Sequence, residues 1–315
     1  MRYEIFGLTL ESDTPLRELP PSRRQTAELA VFLKARPAVG RGWTWAHEWT
    51  REDGSVWLRF GRRAGRGDRL LRLPRLADFL VTDDASAIRC RAAPGVPLRT
   101  VRHLLIDHVV PIVLSARGHL LLHASGISTP AGSVLFAGSS GTGKSTLAFL
   151  LGGGRSRRSL WRPLADDVVR IEMTDHAALA VPAYPGARLW PDVVEAALAG
   201  ARLPRIAHYS DKRRLGSTSL GAGARRPQRV SRVLVIGDMP VAEEIALRGL
   251  TPQAAFAALV PHVYRLDIED ATIARAQFDA LSRFCEAVAA RALAFPRRFE
   301  RIDDIRRAIA RDLGA

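Results

Sequence analysis

Through most of the first hundred positions apolar and polar residues alternate, the two-residue period of half-buried strands. The alternation predicts strands over residues 3–10, 43–49, 56–60, 70–73 and 87–91, with a turn at Glu52-Asp53-Gly54 between the second and third. One stretch departs from it, since residues 24–34 place Leu29, Phe32 and Leu33 on one side of a helix. Residues 104–115, LLIDHVVPIVLS, are nearly continuously apolar and suit a buried helix kinked at Pro111. The segment HLLLHASGIS at 119–128 then reads as a short apolar strand, and residues 133–137 as another. Strands at 168–173 and 232–236 alternate with helices at 193–199, 252–260, 273–291 and 302–312, the signature of an α/β fold. The pattern therefore predicts an N-terminal β-rich module over residues 1–100 and an α/β domain over residues 101–315.

Composition narrows the class. With 315 residues, 47% apolar and 25% charged, the chain is globular and not a disordered tail. Two cysteines, Cys90 and Cys285, are too few for a disulfide framework, and neither has a second Cys or a His at metal-ligand spacing. The N-terminus MRYEIFGLTLESD lacks a signal-peptide layout, and no stretch approaches the ~20 apolar residues a membrane span needs. The expectation is a soluble cytoplasmic protein with no membrane partner. Net charge is +15, yet only Lys34, Lys144 and Lys212 are lysines and the other 44 basic residues are arginines. Where arginine serves for ordinary positive charge, each remaining lysine invites a question about its role.

One lysine falls in the strongest motif. Gly138, Ser139, Ser140, Gly141, Thr142, Gly143, Lys144 and Ser145 fit the G-x-x-x-x-G-K-[ST] pattern of a P-loop, between the strand SVLFA and a helix that starts at Thr146-Leu147. Glycines let the backbone curl so that successive N–H groups face phosphate oxygens, and the helix N-terminus adds partial positive charge. Residues 138–146 would bind ATP, with Lys144 on the outer phosphates and Ser145 on Mg2+. Phosphoryl transfer further needs carboxylates for metal and proton, and Asp166 and Asp167 stand 22 and 23 residues beyond Lys144 at the start of a strand.

His123 in LLHASGI, the loop GSSGTGKS about 15 residues later, and LADDVVRI together resemble the nucleotide-binding core of HPr kinase/phosphorylase, a serine kinase whose fold is similar to that of phosphoenolpyruvate carboxykinase. The resemblance covers roughly residues 100–240. YEIFGLTLESDTPLRELP, YPGARLWPD and HYSDKRRL look more like the HPr-kinase-related proteins of peptide-modification clusters, including kinases of the C-terminal serine of lasso peptide precursors. It implies that Lys144 contacts phosphate, that Ser145 holds Mg2+, that Asp167 accepts the hydroxyl proton, and that His123 sits beside that carboxylate. Asp166 is then the metal-side partner, although adjacency alone does not assign the two. The family's Glu-x-Arg-Gly-Leu-Gly segment corresponds here to Pro185-Gly186-Ala187-Arg188-Leu189-Trp190, where only the Arg has a counterpart. That departure speaks against HPr as substrate and against phosphorylase activity. The implied activity is ATP-dependent transfer to a serine of a peptide or small protein. The alternatives are an ATP-binding regulator that transfers nothing, and a small-molecule kinase.

The remaining features stay open in the sequence. His123 is either a core histidine or part of the catalytic environment. Residues 202–232 hold nine basic residues against one acid, Asp211, with filler GSTSLGAGA, which reads as a solvated loop or a closure over phosphates. Lys212 and Arg213 within it, with Arg188, would offset developing charge. The run Arg59, Arg62, Arg63, Arg66, Arg69, Arg72 and Arg75 has no reader motif beside it, so a solvated hairpin is favoured and no nucleic-acid partner is expected. The C-terminal helices carry mixed charge and leave open packing on the core or on a second copy of the chain in a homo-oligomer.

Overall fold

The computed structural model describes residues 1–314 apart from 36, 38, 52, 64, 154–158, 185, 217–225, 238–241 and 265–269. It is a mixed α/β protein that divides into two compact units. The first comprises Met1–Gly118, Ala207–Tyr209 and the described part of 265–276. Its eight strands are β1 Arg2–Ile5, β2 Leu8–Ser12, β3 Leu29–Phe32, β4 Trp43–Thr50, β5 Val56–Arg63, β6 Arg66–Leu73, β7 Ala77–Val81 and β8 Ala87–Ala92. They form one sheet in the order β1-β2-β3-β8-β7-β6-β5-β4. Phe60, Leu71, Phe79 and Cys90 are cross-strand neighbours in register and are all buried, so one sheet face forms the core. Burial pushes the Cys90 thiol up to about 12 and the Cys285 thiol up to about 11. Both cysteines are buried free thiols.

The helix expected over residues 24–34 is instead β3, which pairs in parallel with β2 and β8. Leu29 and Val31 are buried while Phe32 is exposed, which is a strand period. Two neighbouring strands satisfy this backbone and override the helical spacing of Leu29, Phe32 and Leu33. The buried helix expected at 104–115 is longer and compound: α1 Leu98–Leu104, a π-helical turn Leu105–Val109, and α2 Val110–Ala116. Pro111 is the second residue of α2, just after the widened turn.

The second unit comprises the described parts of His119–Ile206, Ser210–Tyr264 and Gln277–Ala315. In chain order its elements begin with β9 Leu120–Leu122, β10 Ala124–Thr129, β11 Gly132–Gly138, α3 Lys144–Leu151, β12 Arg162–Ala165, β13 Val169–Met173 and β14 Ala178–Val181. They continue with β15 Gly186–Leu189, α4 Pro191–Leu198, β16 Arg213–Gly216, β17 Gln228–Ile236, β18 Ala246–Leu250 and α5 Pro252–Leu259. The chain closes with α6 Ala271–Ala287, β19 Ala290–Ala294 and α7 Ile302–Leu313. The main sheet runs β12-β10-β11-β17-β14-β13-β9, with β19 pairing β17 and β18 pairing β19. Among the described residues only β11 with β17 and β17 with β19 are parallel in this sheet, so it is mixed. Strand β11 is buried from Ser133 to Gly138 because both its faces are covered. Leu135 and Ala137 pack with Leu259, Leu281 and Phe284, while Val134 and Phe136 pack with Leu147, Leu151, Ile305 and Ile309.

The strand expected at 3–10 is a hairpin, β1 pairing antiparallel with β2 around a turn at Phe6 and Gly7, both at positive φ. Two further boundaries differ from the sequence expectation. The strand predicted at 119–128 is two strands broken at His123, and the helix predicted at 273–291 ends at Ala287 to release β19 into the sheet. Among the described residues no helix is long and apolar enough to cross a membrane.

Candidate active site

Strand β11 ends at Gly138, and α3 begins at Lys144 with Gly143 as its N-cap at φ 99°. Gly138 has φ 152°, and a Cβ there would lie 2.5 Å from the Ile236 carbonyl oxygen, so the close approach of β17 requires glycine. Within the loop Thr142 Oγ1 donates to the Ser139 carbonyl at 2.9 Å. Lys144 is buried, and its Nζ donates to the carbonyls of Gly138 and Ser139, each at 2.7 Å. A compact ammonium can fold back on two adjacent carbonyls, whereas a planar guanidinium has no such fit.

The loop forms one wall of a cavity of about 280 Å3 through Ser140, Gly141, Gly143, Lys144, Ser145 and Thr146. Gly138, Ser139 and Thr142 shape the loop from behind and are not on that wall. The facing wall carries His123, Asp167, Arg188, Trp190, Asp192 and Lys212. Five candidate residues (His123, Lys144, Asp167, Arg188 and Lys212) thus meet one cavity with Ser145 and Thr146, while Arg213 lies off it on β16.

Two chain breaks bring His123 and Asp167 together. His123 interrupts β9 and β10, and residues 166–168 interrupt β12 and β13. Strand β10 pairs β12 up to Gly126 opposite Ala165, and β9 pairs β13 from Leu122 opposite Val169, so the interruptions fall side by side. The His123 N–H donates to the His262 carbonyl at 2.7 Å, and its Nδ1 lies 3.6 Å from Asp167 Oδ1. Asp167 has φ 74°, a left-handed conformation that few non-glycine residues adopt. Burial lowers the His123 pKa, Lys144 and Lys212 push it the same way, and Asp167 and Asp166 oppose them. The imidazole is therefore neutral at physiological pH.

Asp166 behaves differently from its neighbour. It is buried and off the cavity wall. Its Oδ1 accepts from Ser125 Oγ at 2.9 Å, and its Oδ2 accepts from the Arg188 backbone N–H at 2.7 Å. The Arg188 guanidinium donates through Nη1 to the Asp166 carbonyl at 2.8 Å and to Oδ2 at 3.3 Å, and through Nη2 to the Tyr184 hydroxyl. The expected metal-ligand role of Asp166 does not agree with this placement, because both its carboxylate oxygens already hold protein donors. Arg188, expected to face phosphate, likewise directs these N–H groups into the protein. The cavity still presents hard oxygen donors, the Ser145 and Thr146 hydroxyls and the Asp192 carboxylate, which suit a small divalent cation completed by phosphate oxygens and water. Among the described residues no three His, Cys, Asp or Glu side chains cluster as a metal site.

Lys212 Nζ lies 5.3 Å from the ring centre of Trp190, which is about half exposed. Arg205 pairs with Asp211 at 2.9 Å on the surface, while residues 217–225 of the basic segment and Pro185 lie outside the described residues. In the N-terminal arginine run, Arg59 pairs with Glu48 at 2.8 Å and Arg72 with Asp78 at 2.7 Å on the β5–β6 hairpin. Sequence reading missed Tyr184, Trp190, Asp192, Arg214 and the far cavity wall of Phe295, Arg297 and Phe299. Only the short span from Tyr184 to Asp192 carried a signal, as the aromatic and charged residues around Arg188.

No protein-family model matches the chain, and no curated protein matches it. Among solved structures it is similar to the HPr(Ser) kinase/phosphatase from Coxiella burnetii, at 12% identity and a TM-score of 0.31, over 62% of this chain and 92% of that one. The roles given to the residues rest on their own geometry.

Proposed function

We propose that the protein is an ATP-dependent kinase that transfers the γ-phosphoryl group to a serine hydroxyl on a peptide or small protein, with a lasso-type precursor peptide as the favoured acceptor. The observation that carries this reading is the meeting, on one cavity, of a glycine-bounded loop with Lys144 and of a carboxylate, Asp167, beside a neutral imidazole. In the reaction the bond from the γ-phosphorus to the β–γ bridging oxygen breaks and leaves ADP. A new bond joins that phosphorus to the acceptor oxygen, and the hydroxyl proton passes to Asp167. Because His123 is neutral, it sets no full positive charge beside Asp167, which favours the basicity a proton acceptor needs. In this reading the N–H groups of the loop and Lys144 would contact the phosphates, and Lys212, on the same cavity, would offset charge on the transferred group. Mg2+, held by Ser145 with phosphate oxygens, would supply charge neutralisation. The choice of a peptide acceptor is supported by the sequence resemblance of YPGARLWPD and HYSDKRRL.

The test is incubation with γ-labelled ATP and Mg2+ against a panel of serine-containing peptides and a parallel panel of hydroxyl metabolites. Label on a peptide supports the reading, and label on a metabolite makes the protein a small-molecule kinase. Nucleotide bound with no label transferred would make it a regulator.

A further inference from the structure

Arg188 stands on the cavity wall yet is 4% exposed, and its backbone N–H and guanidinium donate to Asp166 and Tyr184. We propose that Arg188, Tyr184 and Asp166 are positioning residues which lock Asp167 in its left-handed conformation and aim it at His123. The inference rests on the kinase reading only for its kinetic consequence.

The order of the chain makes the lock direct. Asp166 is the last residue before Asp167, and it is gripped on three sides. Ser125 on β10 holds one carboxylate oxygen, the Arg188 backbone on β15 holds the other, and the Arg188 side chain holds the main-chain carbonyl. That carbonyl belongs to the peptide group whose other half is the Asp167 N–H, so fixing it fixes one plane of the Asp167 φ rotation. A residue at φ 74° without glycine persists only where its surroundings over-determine it, and these three contacts are those surroundings.

Tyr184 completes the arrangement. Its hydroxyl meets Arg188 Nη2 and accepts from Arg214 Nη1 at 2.9 Å, and both guanidiniums lie over its ring, at 5.1 and 5.8 Å from the centre. Arg188 and Arg214 are direct cross-strand partners in the β15–β16 pair, and like charges so placed repel. One phenol shared between two guanidiniums offsets the repulsion and sets the direction from which Arg188 reaches Asp166. Strand β16 follows Lys212 immediately, so the same contacts anchor the segment that brings Lys212 to the cavity.

The experiment uses the full chain with Tyr184→Phe, which keeps the ring and removes the shared hydroxyl, and with Arg188→Lys, which keeps one charge and loses the fork; circular dichroism verifies folding of each. The first readout is independent of activity: the His123 imidazole is titrated by NMR without nucleotide. Four charges act on it, with Asp167 and Asp166 raising its pKa and Lys144 and Lys212 lowering it. Release of Asp167 lowers the His123 midpoint below the wild-type value in both variants. The second readout is transfer kinetics, where kcat falls about ten- to a hundredfold with KM for ATP unchanged, the signature of a displaced reacting group. A His123 midpoint unchanged in both folded variants overturns the proposal. So does a raised KM for ATP with kcat retained, which would make Arg188 a phosphate contact. A shifted midpoint in a protein that transfers nothing supports the positioning role and rejects the kinase reading alone.

Discussion

His123 Nδ1 lies 3.6 Å from Asp167 Oδ1, and the two residues meet because each occupies a break between consecutive strands of one sheet. That placement gives the site a rigid base. Both side chains hang from strand ends fixed by hydrogen-bonded neighbours, and neither depends on a long loop for its position.

The left-handed backbone of Asp167 predicts a specific order of stabilities. Asp167→Gly removes the steric conflict, whereas Asp167→Ala keeps it and loses the tolerance that a short polar side chain brings. Urea denaturation should find the Gly variant more stable than the Ala variant by about 1 kcal/mol. Equal stabilities would mean that the residue is unstrained.

Gly138→Ala tests the approach of β17 to the loop. The new Cβ would stand 2.5 Å from the Ile236 carbonyl oxygen, a backbone atom that cannot swing aside. Loss of about 2 kcal/mol or more is expected in denaturant unfolding, together with weakened nucleotide binding.

For the lysine, Lys144→Arg keeps the charge but not the shape. Two carbonyls at 2.7 Å accept a compact ammonium, and the guanidinium fork does not fit between them. Calorimetry should show ATP affinity reduced at least tenfold, about 1.4 kcal/mol, with the fold retained. Wild-type affinity would remove the lysine from phosphate recognition.

The neutral His123 imposes a pH signature on stability. Its pKa lies below the ordinary 6.5 in the folded chain, so as pH falls through 6.5 the unfolded chain takes up the proton first. Its contribution is full above that pH, is lost as pH falls, and levels out below the folded pKa. His123→Gln should flatten this limb of the stability profile in thermal melts, and an unchanged profile would show that burial does not control the imidazole.

Strands such as β4, β5, β8, β11 and β17, the P-loop pattern and the acidic pair were legible in the sequence because each is a local signal: a run of apolar or alternating residues, a glycine spacing, two adjacent carboxylates. Short strands such as β7, β12, β14 and β18 carried too few residues for such a pattern. What else escaped was set by pairing across the chain. Leu29, Phe32 and Leu33 fit a helix until β2 and β8 claim the backbone of residues 29–32, and Ala290 and Arg291 end the expected helix until β17 takes them as a strand. The division of labour between Asp166 and Asp167 was illegible for the same reason. Ser125 and Arg188, 41 residues before and 22 residues after Asp166, turn one carboxylate inward and leave the other to the cavity.

The central claim, that Asp167 accepts the proton in phosphoryl transfer from ATP, is tested most directly by Asp167→Asn. Asparagine matches the size of aspartate and tolerates the left-handed backbone, so fold and ATP affinity should stay within about twofold of wild type. Transfer of label from γ-labelled ATP to the acceptor peptide should fall below detection. Turnover at the wild-type rate in that variant would contradict the account.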